Sequence, residues 1–315
     1  MAKKSWLTAR LPEAEYLPTP SFGINRALGG KGLHSGRIHV YWGPKASGKT
    51  TIALHQLAEA QRQGKTCAII DAEKTFDPTW AERCGVDLDE LLYVAGNTAE
   101  EILNLLLPDM ESGKIDVVML DSIQSVNFES FFKPDANPMG SYARSSKMVT
   151  HKILNVLQPH QQVIFISHAA MDLSGHYPVL KAALGNAIEH WASTIIRIQK
   201  IMAKDSIREE DGAHKVRWKI EKSKQSEYPI DGEFYFTSST ASIDNVDEIV
   251  TAAKLEGIID GTTWLKYVDS NGEELKWQGK ANLVNHLKAN PELLKEIGDK
   301  LNAITVHAVE DDDAA

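Results

Sequence analysis

One stretch constrains this chain more than any other: Gly43-Pro44-Lys45-Ala46-Ser47-Gly48-Lys49-Thr50, which has the form G-x-x-x-x-G-K-[ST]. A strand-like segment, Arg37–Trp42, runs into it, and a helical pattern opens at Thr51. The glycines let successive backbone N–H groups turn toward one point, where the helix N-terminus adds partial positive charge. Lys49 is placed to reach the outer phosphates of a nucleotide, and Thr50 to offer its hydroxyl to Mg²⁺. The segment therefore predicts a nucleoside triphosphate site, and a strand–loop–helix unit is the usual start of an α/β fold.

The pattern that follows agrees. Gly64–Ile70, Leu91–Val94, Ile115–Leu120 and Gln162–Ser167 read as apolar strands, with helices between them. One helix is marked near Trp80, and another begins near Thr98, with Glu101 placed as in a capping box. Continuous apolar strands alternating with helices predict a largely parallel twisted sheet covered on both faces. Ligands of such sheets bind beyond the carboxyl ends of the strands. Glu73, Asp121 and His168 stand at three of those ends. Asp121, after four apolar residues, has the form of the carboxylate that holds the nucleotide's Mg²⁺. Glu73 is a candidate general base for an attacking water, although an ordinary carboxylate at a helix N-terminus would look the same.

The 315 residues, 43% of them hydrophobic and 24% charged, are enough for one large domain and a smaller one. No apolar run approaches a membrane span and the first residues lack a secretory signal, so no membrane partner is expected. Cys67 and Cys84 are far apart and read as buried thiols in a reducing compartment, the cytoplasm. The net charge of −9 is uneven: Glu310–Asp313 carry four negatives, and the rest carries −5. Arg197–Lys224 holds nine basic residues against five acids. A polyanion could bind there, though on charge alone a solvated strand pair fits equally well.

Residues 1–20 read as an irregular arm, because Pro12, Pro18 and Pro20 oppose a long helix. A short helix follows at Ser21–Leu28. The ATPase core is expected over 21–241, with two polar segments, 127–139 and 169–183, lacking clear periodicity. Ser193–Met202 and Lys215–Lys222 alternate apolar with charged, as an antiparallel pair does, and Phe234–Phe236 reads as a further strand. A smaller unit is expected over 242–302: a helix at Val246–Leu255, a hairpin turning at Asp269-Ser-Asn-Gly272, and helices at Ala281–Lys288 and Pro291–Leu301. Lys266, Lys276, Lys280 and Lys288 offer this unit a second basic surface. An acidic tail, 303–315, closes the chain.

These residues resemble the bacterial RecA recombinase family, in a phage-encoded form. The resemblance covers nearly all of the chain after residue 17. It rests on Gly43–Thr51, Ile69-Ile-Asp-Ala-Glu73 with Phe76-Asp-Pro78, Asp116–Ser122, Gly185-Asn-Ala187, Lys222-Ser-Lys224, Gln278–Asn282 and Asn290-Pro-Glu292. It implies an α/β RecA-like P-loop ATPase core with a small α+β C-terminal domain. It implies ATP with Mg²⁺ held by Thr50 and Asp121, and adenine contacts from Asp77 and Trp80. Catalytic roles fall to Lys49, Glu73 and His168, with Lys222 and Lys224 reaching the neighbouring protomer's nucleotide. It also implies a helical homo-oligomer on single-stranded DNA held by 127–139 and 169–183. The C-terminal unit would grip double-stranded DNA.

Three departures stand out. His168 occupies the place of the family's phosphate-sensing glutamine, so the sensor becomes a side chain able to change charge near neutral pH. The docking helix at the N-terminus is shortened, and Glu189-His190 replace a lysine and an aromatic near the protomer contact. The resemblance implies ATP-dependent strand exchange. The alternative is a RecA-like ATPase that mediates recombination or helps annealing without exchanging strands, and the C-terminal unit disfavours it. A hexameric helicase fits Glu73 and Lys222-x-Lys224 less well. A small-molecule kinase would need an arginine-rich lid, whereas 127–183 holds only Arg144. A switch without catalysis would not need Lys49, Thr50, Glu73 and Asp121 together.

Overall fold

The computed structural model describes residues 14–132, 141–172, 177–202, 207–208, 212–226 and 230–312. In chain order its first elements are β1 (Tyr16–Leu17), α1 (Phe22–Ala27), β2 (Leu33–His34), β3 (Arg37–Gly43) and α2 (Lys49–Arg62). Next come β4 (Cys67–Asp71), α3 (Pro78–Arg83), β5 (Leu91–Val94), α4 (Ala99–Glu111), β6 (Val117–Asp121) and α5 (Ser141–Val156). Then follow β7 (Gln162–Asp172), β8 (Val179–Ala182), α6 (Asn186–Trp191), β9 (Thr194–Lys200), β10 (His214–Lys222), β11 (Ile230–Thr237) and β12 (Ser242–Asp244). The last elements are α7 (Val246–Leu255), β13 (Trp264–Val268), β14 (Glu274–Gln278), α8 (Gly279–Ala289) and α9 (Pro291–Asp312).

One large sheet has the order β12-β11-β10-β9-β3-β7-β6-β4-β5, and β8 pairs with β7 alone. From β9 to β5 the path is parallel; β9 to β12 is antiparallel. Successive side chains of a strand point to opposite faces, and this divides the core in two. Val117 and Met119 join a cluster with α2 and α3, whereas Val118 and Leu120 join one with α4 and α5. Both faces are thus buried under helices, which is why these strands lack polar alternation. Cys67 and Cys84 are free and buried, and burial pushes the Cys84 thiol up to about 11.

Side-chain caps open α1, α3 and α4. Thr98 Oγ1 accepts from Glu101 N–H at 3.3 Å and opens α4, the first half of the expected box. Ser21 caps α1 by accepting from Ile24 N–H. The hairpin β13–β14 turns where Gly272 N–H bonds Asp269 O at 3.1 Å.

Four expectations differ from what is found. Tyr16–Leu17, placed in an irregular arm, pairs with Leu33–His34; residues 1–13 of that arm lie outside the described residues. Segment 169–183 is not featureless: β7 continues through it to Asp172 and β8 returns antiparallel, with 173–176 outside the described residues. Ala169–Asp172 and Val179–Ala182 supply the ladder. In 127–139, Glu129–Phe132 forms a short 3₁₀ turn, and 133–140 lies outside the described residues. Finally, α9 does not stop near Leu301 but runs to Asp312, since no glycine or proline intervenes to break it.

A third buried cluster joins α7, α8, α9 and the β13–β14 hairpin, with Phe22 of α1 packed against it. A buried carboxylate helps tie it to the large sheet. Glu248 of α7 accepts from Ser21 Oγ at 2.9 Å, Gly23 N–H at 3.1 Å and Trp218 Nε1–H at 2.8 Å. Burial pushes this carboxyl up to about 7, against the pull of those three donors. With the folded-state value raised, the stabilising contribution is complete below the ordinary value of 4.5 and is lost as pH rises through about 7. The loss amounts to about 3 kcal/mol. Urea unfolding of the wild type should therefore show a decline over that window which Glu248→Gln removes. Parallel curves for the two proteins would reject this assignment.

Candidate active site

Strand register, rather than nearness in sequence, assembles the site. In the parallel pair β3–β7, Gly43 lies opposite His168, and in β4–β6, Asp71 lies opposite Asp121. The strands β3, β6 and β4 end around one space, with Glu73 two residues beyond β4; His168, expected at a strand end, lies instead within β7, which runs on to Asp172 because β8 pairs with it there. The ends of β3, β4 and β6 open on a cavity of about 550 Å³. Lys45, Ala46, Lys49, Thr50, Glu73, Asp77, Trp80, Asp121 and His168 all line it, with Asp71, Thr75 and Phe76.

The loop from Gly43 to Thr50 is built for close approach. A Cβ at Gly43 would stand 2.0 Å from the Ile198 carbonyl oxygen, so only glycine fits. Gly48, at φ +97°, caps α2 in the left-handed region. Ser47 Oγ is buried and has no partner among the described residues, a polar group suited to a phosphate oxygen. Lys49 Nζ donates to the Pro44 carbonyl at 2.8 Å. Burial lowers the Lys49 ammonium from its usual range, while Asp121 and Glu73 oppose the shift.

Thr50 Oγ1 donates to Asp121 Oδ2 at 2.7 Å. Burial raises the Asp121 carboxyl, and the Thr50 bond pulls it back. A hydroxyl and a carboxylate side by side are hard oxygen donors of the kind Mg²⁺ accepts, the rest of its shell coming from water and phosphate. The residues thus fit the metal that the sequence implies.

Glu73 is held by three donors on its Oε1: Ser122 Oγ, Ser125 Oγ at 3.3 Å and His168 Nε2. Burial by itself would raise this carboxyl, but the bonds from Ser122, His168 and Ser125 prevail and hold it low. Trp80 lies on the far side. Its Nε1–H donates to Thr51 Oγ1 at 3.2 Å, its ring meets Phe236 edge-on, and the Arg83 guanidinium sits 5.0 Å from the ring centre. Asp77 caps α3 by accepting from Trp80 N–H at 3.1 Å.

Lys222 and Lys224 are not brought to this cavity. Lys222 Nζ donates to the carbonyls of Glu189 and His190 in α6, and Lys224 is exposed. Much of the basic stretch around them is internally paired. Arg208 meets Asp244, while Lys215 and Arg217 meet Glu233. The same is true of the C-terminal lysines: Lys266 and Lys276 meet Glu274, Lys280 meets Asp247, and Lys288 meets Asp244.

Sequence reasoning missed Ser122, Ser125 and Asp71. Asp71 accepts from Phe76 N–H at 2.8 Å and Tyr93 O–H at 3.1 Å, which fixes the segment after Glu73. The two serines carried a usable signal. Ser122 follows Asp121 directly and Ser125 stands three residues further on, one helical turn away, so both reach the same point.

A largely parallel sheet with this loop at the end of β3 and carboxylates at Asp121 and Glu73 defines a P-loop nucleoside triphosphatase. The family model of the RecA N-terminal domain matches residues 7–234. Protein RecA of Colwellia psychrerythraea is 34% identical over 294 residues, covering 92% of this chain and 84% of that one. The chain belongs to the RecA family.

If Thr50 and Asp121 hold the metal, Asp121→Asn should weaken Mg²⁺-supported ATP binding by about tenfold or more. Nucleotide affinity in EDTA should stay nearly unchanged. Equal losses with and without metal, read by titrating a fluorescent ATP analogue, would contradict the assignment.

Proposed function

We infer that this cavity is the ATP site through which a DNA recombinase controls its own assembly. As a member of the RecA family, the protein is an ATP-dependent recombinase and a DNA-dependent ATPase that uses Mg²⁺. It assembles with its own copies on single-stranded DNA, pairs that strand with homologous double-stranded DNA and exchanges strands. Among the described residues no helix is long and apolar enough to cross a membrane. Its place of work, on this reading, is the bacterial cytoplasm.

The observation that carries the residue roles is the cavity at the ends of β3, β4 and β6 and beside β7, which has Lys49, Thr50, Asp121, Glu73 and His168 in its lining. ATP supplies the phosphoanhydride to be cleaved, and Mg²⁺ supplies charge neutralisation. Lys49 and the N–H groups of residues 43–51 hold the phosphates. Glu73 orients the attacking water and accepts its proton. The bonds from Ser122, Ser125 and His168 weaken Glu73 as a base, so it gains basicity once His168 turns toward the terminal phosphate. His168 is thus both sensor and restraint. Trp80 and Asp77 hold the adenine, the indole by stacking. Lys222 and Lys224 act on the neighbouring protomer's nucleotide, which their distance from their own cavity supports. The reading divides the chain into an arm at 1–20, a core at 21–241, a duplex-binding unit at 242–302 and an acidic tail. The segment 127–139 and the β7–β8 hairpin hold the single strand.

Glu73→Ala should bind an ATP analogue normally and exchange strands between short oligonucleotides, while its turnover falls by about 10²- to 10⁴-fold. A wild type that assembles but never exchanges strands would instead favour the mediator reading. The trans role has its own test. Neither Glu73→Ala nor Lys222→Ala alone should hydrolyse ATP well, but a mixed filament rebuilds roughly a quarter of its interfaces with both groups present. An equal mixture that stays as inactive as its components would place Lys222 outside catalysis.

A further inference from the structure

Gln124 stands outside the cavity and touches none of the groups assigned to ATP, yet it bridges three parts of the machinery. It follows Asp121 by three residues, in the 3₁₀ turn Ile123–Ser125. Its Nε2 donates to Ser167 Oγ on β7, the residue before the sensor His168, and to Ala183 O at 2.9 Å, just past β8. Ala183 N–H in turn donates to His168 O at 2.9 Å. One amide therefore joins the metal-carboxylate segment, the sensor strand and the base of the hairpin.

The bonding around this amide is incomplete. Gln124 Oε1 and His168 Nδ1 are buried, and neither has a partner among the described residues. Buried polar atoms in native proteins are nearly always satisfied. Both atoms are open to a partner, water or protein, that the described residues do not supply. His168 is occupied with Glu73, so it reaches a terminal phosphate only by leaving that partner, and Ser167 precedes it directly in β7. Gln124 cannot follow Ser167 without pulling on Ala183 or letting it go.

We propose that Gln124 is a positioning residue that transmits the state of the nucleotide from His168 to the β7–β8 hairpin, and so sets how strongly ATP favours DNA binding. The proposal rests on the reading that this hairpin holds single-stranded DNA. It predicts a change in coupling between two ligands rather than in affinity for either alone. A merely structural glutamine would alter DNA affinity alike in both nucleotide states.

The experiment uses the full chain and a fluorescent oligo-dT, titrated with a non-hydrolysable ATP analogue or with ADP. In the wild type the analogue should tighten DNA binding well beyond ADP. Gln124→Leu should shrink that ratio by about tenfold, with KM for ATP kept within about twofold. Ser167→Ala removes one of the two bonds with less disturbance to packing and should give an intermediate ratio, so the test survives if Gln124→Leu folds poorly. If wild-type DNA affinity ignores the nucleotide, the underlying reading of the hairpin fails. If the wild type responds and both variants keep its ratio, the role of Gln124 is overturned while the hairpin reading stands.

Discussion

Everything in this molecule hangs on the hydrogen-bonded register of four parallel strands. Parallel ladders slant and repeat evenly, so a strand displaced by one residue would carry its whole face to the other side of the sheet. The two hydrophobic clusters forbid that displacement, because Val118 and Leu120 belong to one and Val117 and Met119 to the other. With register locked, Gly43 must face His168 and Asp71 must face Asp121. The chemistry at the strand ends is therefore positioned by apolar packing some distance below it.

That packing explains how a carboxylate and an imidazole can be held together without either being the end of a rigid rod. Glu73 lies beyond the last ladder pair of β4, where Asp71 fixes the following turn through Phe76 and Tyr93. His168 still belongs to a strand, and β8 anchors that strand on its outer side. A soft group thus meets a firm one.

The sequence disclosed most of this because its strongest signals were local. The loop Gly43–Thr50, the apolar strand runs and the Asn271-Gly272 turn each depend on residues within a few positions of one another. The residues at the strand ends were also legible, because topology alone says where ligands bind. What stayed hidden was long-range. Gln124 meets Ala183 across the sheet, Glu248 meets Ser21 across most of the chain, and the lysines of the C-terminal unit meet partners that no spacing rule identifies. Periodicity misjudged the hairpin after His168 for a related reason. Its strands are short and half exposed, so their pattern is set by one neighbouring strand rather than by a buried face.

The paired lysines of the C-terminal unit carry a consequence for how this protein meets a polyanion. Glu274, Asp247 and Asp244 already pair with Lys266, Lys276, Lys280 and Lys288 and offset part of their charge. A phosphate backbone arriving at this face has to displace internal carboxylates. Part of the ordinary gain from shedding condensed counterions is then cancelled, because the liberated acids gather cations of their own. Attachment through this face would therefore respond to ionic strength more gently than four free ammonium groups would dictate, and the grip would loosen gradually as salt is added.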